Sequence, residues 1–334
     1  MRGLLIVVLM LAGCGEIWND PYPAAERGAN ILYSVFPERP KHLDPVQSYA
    51  SDEAIFTRQV YEPPLQYHYL KRPYELVPLT ATEIPVPRIV ETAGKVFSVY
   101  DIRIRPGIRF QPHPAFLPAN LSLKRHDIDD LDSPYQLPLG TRELTADDYI
   151  YEIKRLAHPQ LHSPIFGLMA EYIVGLKEYA STLQKAVKPG EWLDLRAYPL
   201  EGVTRVDEHT YRVTLKGRYP QFVYWLAMPF FAAMPWEADR FFAQAGMAER
   251  NFTLDWWPVG SGPYMLSEND PNSRMVLARN PNFRGEPYPS EGEPGDAVRG
   301  LLADAGKTMP FIDKAVYTRE KEAIPLWNKF LQGY

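Results

Sequence analysis

The chain has 334 residues, which at about 150 residues per domain predicts two domains. Its 41 acidic and 36 basic side chains give a formal net charge of −5, which argues against a nucleic-acid binder, because phosphate contacts need a basic surface. Hydrophobic residues make up 46% and charged residues 23%, a composition typical of globular proteins. A single cysteine excludes a disulfide framework and any multi-cysteine zinc or iron–sulfur site.

The N-terminus has the pattern of an export signal. Arg2 precedes an apolar run over residues 4–11, which is too short to span a bilayer. The segment Leu11-Ala12-Gly13-Cys14 resembles a bacterial lipobox, whose cysteine is acylated and becomes the mature N-terminus. We therefore predict a lipoprotein signal peptide over residues 1–14, lipid attachment at Cys14 and a polar tether over 15–30. The alternative is a plain signal peptide with an incidental cysteine.

Strands and helices alternate along the rest of the chain. Alternating apolar and polar residues, β-branched residues and flanking turn signals predict strands over 31–36, 96–105, 211–215 and 274–279. Helical spacing predicts helices over 51–60, from Thr145 onward, over 165–187, over 235–242 and within 319–331. Ser51 is predicted to cap the first helix, and Asp148 completes a capping box with Thr145. The fold class is mixed α/β.

The residue patterns of common enzymes and metal sites are absent or incomplete. There is no G-x-S-x-G, P-loop or H-E-x-x-H motif. His158 and His162 are four apart, but Pro159 lies between them and no third ligand is near in sequence. The acidic run 127–132 lacks the glycine and glutamate of an EF-hand. We therefore predict no catalytic residues, no metal and no cofactor.

Five stretches, in this order, resemble the family 5 extracellular solute-binding proteins, the oligopeptide and dipeptide receptors of ABC importers. They are Leu43-Asp44-Pro45 with Tyr61-Glu62-Pro63-Pro64-Leu65, the hairpin segment 102–110, Leu144-Thr145-Ala146-Asp147-Asp148 with Arg155, Gly202-Val203 with 206–211, and Gly260-Ser261-Gly262-Pro263-Tyr264 with 279–283. Each is weak alone, but together they cover about residues 31–290. Arg284 departs from the family pattern, which often has tryptophan at or near this position.

The resemblance implies a type II periplasmic-binding-protein-like fold of two lobes, with the C-terminal lobe largely missing from these 334 residues. Its implied divisions are lobe I over 31–45 and 188–265, an inserted subdomain over 46–187, and the incomplete start of a second lobe over 266–334. Such receptors are usually longer, so the resemblance predicts a fragment or a truncated product.

The same resemblance implies a function and a site. The protein would be a monomeric, non-enzymatic lipoprotein in the periplasm that captures oligopeptides between its lobes and delivers them to a membrane permease. The residues carried over as ligand contacts are Tyr49, Ala50 and Ser51 after the Leu43-Asp44-Pro45 turn, and Val259, Gly260, Ser261 and Gly262 at the crossing between lobes. Ser51 is also explained as a helix cap, and the two glycines as a tight turn.

Two other functions stay open at this point. One is a receptor of the same architecture for a metal chelate or an oligosaccharide; seven histidines in the whole chain give metal little support. The other is a truncated interaction lipoprotein with no role in transport. The sequence does not decide between inner and outer membrane, although Gly15, in place of an aspartate after Cys14, is compatible with outer-membrane sorting.

Overall fold

The computed structural model describes residues 23–332, so the predicted signal peptide, Cys14 and residues 15–22 of the tether lie outside the described residues. The α-helices are α1 Ser51–Val60, α2 Arg125–Asp129, α3 Ala146–Arg155, α4 Phe166–Tyr172, α5 Leu176–Ala186, α6 Phe222–Trp225, α7 Trp236–Phe242 and α8 Ala323–Leu331. The strands are β1 Ile31–Phe36, β2 Leu65–Tyr67, β3 Leu76–Pro78, β4 Arg88–Thr92, β5 Lys95–Arg103, β6 Val203–Asp207, β7 Thr210–Lys216, β8 Tyr264–Asp270, β9 Arg274–Arg279, β10 Glu286–Pro287, β11 Thr308–Met309 and β12 Lys314–Arg319. Within residues 23–332, no helix combines the length and the apolar character needed to cross a membrane.

One four-stranded sheet joins the two ends of the described chain. Its order is β1-β12-β9-β8, with β1 parallel to β12 and the other pairs antiparallel. Helix α1 packs on this sheet through Phe56, whose ring centroid lies 5.8 Å from that of Phe36 and 5.1 Å from that of Tyr317. Aromatic pairs of this kind stabilise a core beyond the apolar area they bury.

A second four-stranded sheet, antiparallel throughout, has the order β4-β5-β7-β6. Its central strands β5 and β7 coincide closely with the strands that alternation predicted over 96–105 and 211–215. Helix α3 covers this sheet, and the rings of Tyr149 and Tyr211 stack 5.3 Å apart. The capping box of α3 forms as predicted, since the Asp148 carboxylate accepts the Thr145 backbone N–H at 2.9 Å.

Both sheets cross the domain boundaries that the resemblance implied. Strands β9 and β12 follow residue 266, yet they pair in one sheet with β1, which was assigned to lobe I. The predicted boundary at 266 falls inside β8, and the strands after it extend the first sheet. Likewise β5, from the predicted inserted subdomain, pairs with β7 from lobe I.

The end of the predicted tether contacts the body of the protein. The Asn30 backbone N–H donates to the Asp313 carboxylate at 3.0 Å, and the Asn30 side-chain amide donates to the Phe311 carbonyl at 2.8 Å. Glu26 forms an ion pair with Lys314. These contacts place residues 26–30 beside the start of β12.

The predicted helical stretch 165–187 is broken into α4 and α5. Ile173 is extended, and Gly175 has a φ of +76°, a left-handed conformation that glycine adopts readily. The break lets the Val174 backbone N–H bond the Thr214 carbonyl of β7 at 3.0 Å. A backbone hydrogen bond to the sheet thus replaces the helical turn that periodicity alone predicts.

His113 is fully buried among aromatic rings, with Tyr135, Phe241 and Phe242 centroids 5.4–5.7 Å from its own. Its Nδ1 accepts the Ala115 backbone N–H at 3.2 Å, and its Nε2 has no hydrogen-bond partner among the described residues. Burial disfavours the charged imidazolium and lowers the pKa of His113 to about 3.

This burial predicts a specific acid sensitivity. Below its ordinary pKa of about 6.5, the unfolded chain protonates His113 while the folded chain does not, so acid lowers the free energy of unfolding by up to about 1.4 kcal/mol per pH unit. The variant His113→Asn keeps a cap acceptor but cannot titrate. Urea unfolding at pH 7, 6 and 5 should show a steeper loss in the parent than in His113→Asn. Parallel slopes would contradict the prediction.

Candidate functional site

The turn after β1 is built around Asp44. The Asp44 backbone carbonyl accepts the N–H groups of Gln47 and Ser48 at 3.0 and 2.9 Å, and its carboxylate accepts the Val46 N–H at 3.2 Å. Leu43 and Val46 on either side are buried. The turn therefore delivers the chain to Tyr49 in a fixed conformation.

Glu53 fixes the backbone of Tyr49 and Ala50, two of the three predicted ligand residues near the turn. One oxygen of its buried carboxylate accepts the backbone N–H groups of Tyr49 and Ala50 at 2.9 and 3.0 Å, and the other accepts that of His42 at 2.9 Å. The prediction that Ser51 caps α1 is wrong: Ala50 occupies the cap position, and Ser51 is the first helical residue. Glu53 caps the helix instead, because its carboxylate accepts the free backbone N–H groups of Tyr49 and Ala50 and the Ser51 hydroxyl does not.

Tyr49, Ala50 and Ser51 face solvent. The Tyr49 residue is 69% exposed, and its ring centroid lies 6.0 Å from that of the buried Phe230. Ala50 and Ser51 are exposed beside it. These residues form an accessible surface, on which the N–H groups of Tyr49 and Ala50 are held by Glu53.

The loop 259–262 lies in a different environment, because all four of its residues are buried. A Cβ at Gly260 would lie 2.0 Å from the Val60 carbonyl oxygen, and one at Gly262 would lie 2.6 Å from that of Gln59. The Gly262 N–H donates to Val60 at 2.8 Å. The two glycines thus allow close approach to the end of α1, whereas the resemblance implied ligand contacts here.

The two predicted parts of the site do not meet. Tyr49, Ala50 and Ser51 lie at the start of α1, and the loop 259–262 packs on its end. Ten helical residues separate them, which is about 15 Å. Only the first part is exposed, so the accessible candidate site is the surface formed by Tyr49, Ala50 and Ser51.

A buried ion pair joins the turn to α3. The Arg155 guanidinium donates to both oxygens of Asp44, at 2.8 and 2.6 Å, and to Glu152 at 3.0 Å. The side chains of these three residues are 0–3% exposed. Burial disfavours the charged form of Arg155, but the Asp44 and Glu152 carboxylates outweigh it and raise its pKa. Burial raises the pKa of Glu152, because its charged form is poorly solvated.

A cavity of about 310 Å³ lies beside this pair. It is lined in part by Asp44, Gln47, Arg155, His158, Asp239 and Asp255. Asp239 lies 3.6 Å from Arg155, and Asp255 accepts the Asp44 backbone N–H at 3.2 Å. The sequence offered Asp44 and Arg155 only as parts of separate motifs; their 111-residue separation left no local signal that they form a pair.

The loop 259–262 contacts a second, partly buried ion pair, which joins Glu62 to Arg284. The Ser261 hydroxyl donates to Glu62 at 2.9 Å, and Glu62 binds Arg284 at 2.7 Å. Burial raises the pKa of Glu62, with Arg284 acting in the opposite direction. Arg284, the residue that departs from the family pattern, therefore supplies the positive charge for the Tyr61-Glu62 motif. Within residues 23–332, no group of three or more His, Cys, Asp or Glu side chains is placed to hold a metal ion.

Known proteins resemble this chain in sequence and in structure. Di/tripeptide-binding protein 2 of Pseudomonas aeruginosa is 26% identical over 191 residues, which are 57% of this chain and 28% of that protein. The periplasmic oligopeptide-binding protein OppA of Salmonella typhimurium is 30% identical over 141 residues, 42% of this chain and 23% of that protein. The chain thus spans about a quarter of the length of these curated relatives.

The structural likeness covers more of the chain. The periplasmic binding protein DppA of Helicobacter pylori, solved with the peptide STSA, has a TM-score of 0.57 at 16% identity, covering 91% of this chain and 45% of that one. This likeness confirms the predicted periplasmic-binding-protein fold. The family described as "Bacterial extracellular solute-binding proteins, family 5 Middle" matches residues 98–293, more than half of the chain. The chain therefore belongs to family 5 of the bacterial extracellular solute-binding proteins.

Proposed function

We propose that this chain captures oligopeptides for an ABC importer and acts as a binding protein without catalysing a reaction. Its family and the peptide-binding names of its relatives support the ligand class. The observation that carries the proposal is the exposed Tyr49, which stands on a backbone whose amides are fixed by Glu53. A rigid aromatic residue gives contact area at little entropic cost, which suits ligands with varied side chains.

The proposed contacts are those of Tyr49, Ala50 and Ser51 with the peptide main chain. Main-chain recognition is independent of ligand sequence, as expected for a receptor that takes many peptides. The buried loop 259–262 would support this surface by holding the end of α1. Delivery to a permease, a monomeric state, a periplasmic location and lipid attachment at Cys14 complete the proposal.

Removing the Tyr49 ring should weaken peptide binding. We expect Tyr49→Ala to raise the Kd for trialanine at least fivefold, the loss of about 1 kcal/mol typical of a buried aromatic anchor. Calorimetric titration of the 334-residue chain measures the Kd, and a peptide-dependent rise in Tm checks it. Tyr224→Ala is the matched control, since Tyr224 is a 51% exposed tyrosine on α6.

Two results would contradict this proposal. One is the absence of saturable binding of trialanine by the parent chain. The other is an unchanged Kd in Tyr49→Ala while its Tm without ligand equals that of the parent.

A further inference from the structure

A second concave surface lies at the opposite end of α1. One wall is the β2–β3 hairpin with its loop 68–75, and the other is formed by segments 286–291 and 306–312. The cleft between them has a volume of about 1070 Å³, enough for a peptide-sized ligand. We call it the hairpin cleft. No motif of the sequence pointed to it, because its walls come from segments more than 200 residues apart.

Solvent-exposed aromatic rings line this cleft. Tyr67, Tyr69 and Phe311 are 42%, 67% and 38% exposed. Two of them contact Tyr288, whose ring centroid lies 6.1 Å from that of Tyr69 on the opposite wall and 6.1 Å from that of Phe311 on its own wall. Exposed, mutually supported aromatic rings mark a binding surface, and their faces attract cations.

The charged groups of the lining are unbalanced. Glu75, Glu286 and Glu291 face one lysine, Lys71, which lies 3.6 Å from Glu75 and 3.0 Å from Glu291. The Nδ1 of His68 accepts the backbone N–H groups of Leu70 and Lys71. The lining therefore carries an excess of negative charge.

Of the three carboxylates that line the cleft, Glu286 is the one available to bind a cationic ligand. Among residues 23–332 it accepts a hydrogen bond from the Gln66 amide and forms no ion pair with a lysine or arginine. It is half-buried, so solvent screens its charge less than at the open surface. Lys71 is already engaged by the other two carboxylates.

We propose that the hairpin cleft is a second binding site, for the arginine or lysine side chain of a cationic peptide. Glu286 would accept hydrogen bonds from the guanidinium or ammonium group, and Tyr67, Tyr69 and Phe311 would pack on the side chain through cation–π and apolar contacts. The site is separate from the Tyr49 surface. Gln59, which lines the cleft, is eight residues along α1 from Ser51, a rise of about 12 Å.

The test uses acetyl-Arg-Arg-amide and its neutral isostere acetyl-citrulline-citrulline-amide as probes. Calorimetric titration of the 334-residue chain at low salt should show saturable binding of the arginine probe and at least tenfold weaker binding of the citrulline probe. Glu286→Gln and Tyr69→Ala should each weaken the arginine probe at least fivefold. Glu178→Gln, which removes an exposed carboxylate on α5, should leave its Kd unchanged.

The variant Tyr49→Ala separates this proposal from the first one. It should leave the preference for the arginine probe over the citrulline probe unchanged while weakening the binding of trialanine. No saturable binding of the arginine probe, equal affinity for both capped probes, or a Kd unaffected by both Glu286→Gln and Tyr69→Ala would overturn the hairpin-cleft site. If the parent chain bound the arginine probe but showed no saturable binding of trialanine, that result would instead count against the proposed function.

Discussion

Replacing Arg155 by leucine should lower the free energy of unfolding by about 3–5 kcal/mol, because it leaves buried carboxylates without their cation. Asp44 and Glu152 both bond the Arg155 guanidinium, and all three side chains are withdrawn from water. A loss of this size is a large share of a domain's total stability of about 5–15 kcal/mol. Urea unfolding followed by tryptophan fluorescence measures it.

A double variant keeps this prediction testable if Arg155→Leu unfolds. Asp44→Asn combined with Arg155→Leu removes one of the two uncompensated carboxylates, so the double variant should be more stable than Arg155→Leu alone. Arg212→Leu is the surface control: Arg212 pairs with Asp101 at 2.6 Å, but both side chains are about 40% exposed, and we expect a loss of at most about 1 kcal/mol. Equal losses in Arg155→Leu and Arg212→Leu would contradict the account of the buried pair.

Replacing Gly260 by alanine should destabilise the fold by about 3 kcal/mol through steric overlap. The added Cβ would lie 2.0 Å from the Val60 carbonyl oxygen, a backbone atom that cannot rotate away. Moving the two segments apart would strain the hydrogen bond from the Gly262 N–H to Val60 and that from the Gln111 N–H to Gly260, which are 2.8 and 2.9 Å long. Thermal unfolding of the purified variant measures the loss.

Gly167→Ala is the matched control for this substitution. Gly167 lies in α4, where an added Cβ meets no atom within 4 Å, and alanine favours the helix by about 0.5–1 kcal/mol over glycine. We expect a Tm equal to or above that of the parent. If Gly260→Ala behaved like Gly167→Ala, the close approach of the loop 259–262 to α1 would be wrong.

The buried ion pairs show how the family resemblance and the structure relate. Asp44 and Glu62 belong to the first of the five stretches that resemble the family, Arg155 to the third and Ser261 to the fifth. In the structure these residues bond one another, directly or through Arg284. Three of the five stretches therefore hold the fold together around α1, and the exposed Tyr49 extends from this framework.

The sequence by itself determined the local elements and the family. Strand β1, helix α1, the start of α3 with its Thr145–Asp148 box, and strand β9 follow from residue alternation, helical spacing and capping, which act over only a few residues. The order of the five stretches was enough to name the family, which the match over residues 98–293 confirms.

Only the tertiary structure decided which distant segments meet. The pairing of β1 with β12 joins residues 31 and 314, and it moves strands after residue 266 into the first sheet. Capping of α1 by Glu53, the break between α4 and α5, and the hairpin cleft likewise depend on which surfaces come together. The physical reason is that periodicity specifies an apolar face but not its partner, since burial is favourable against any complementary surface.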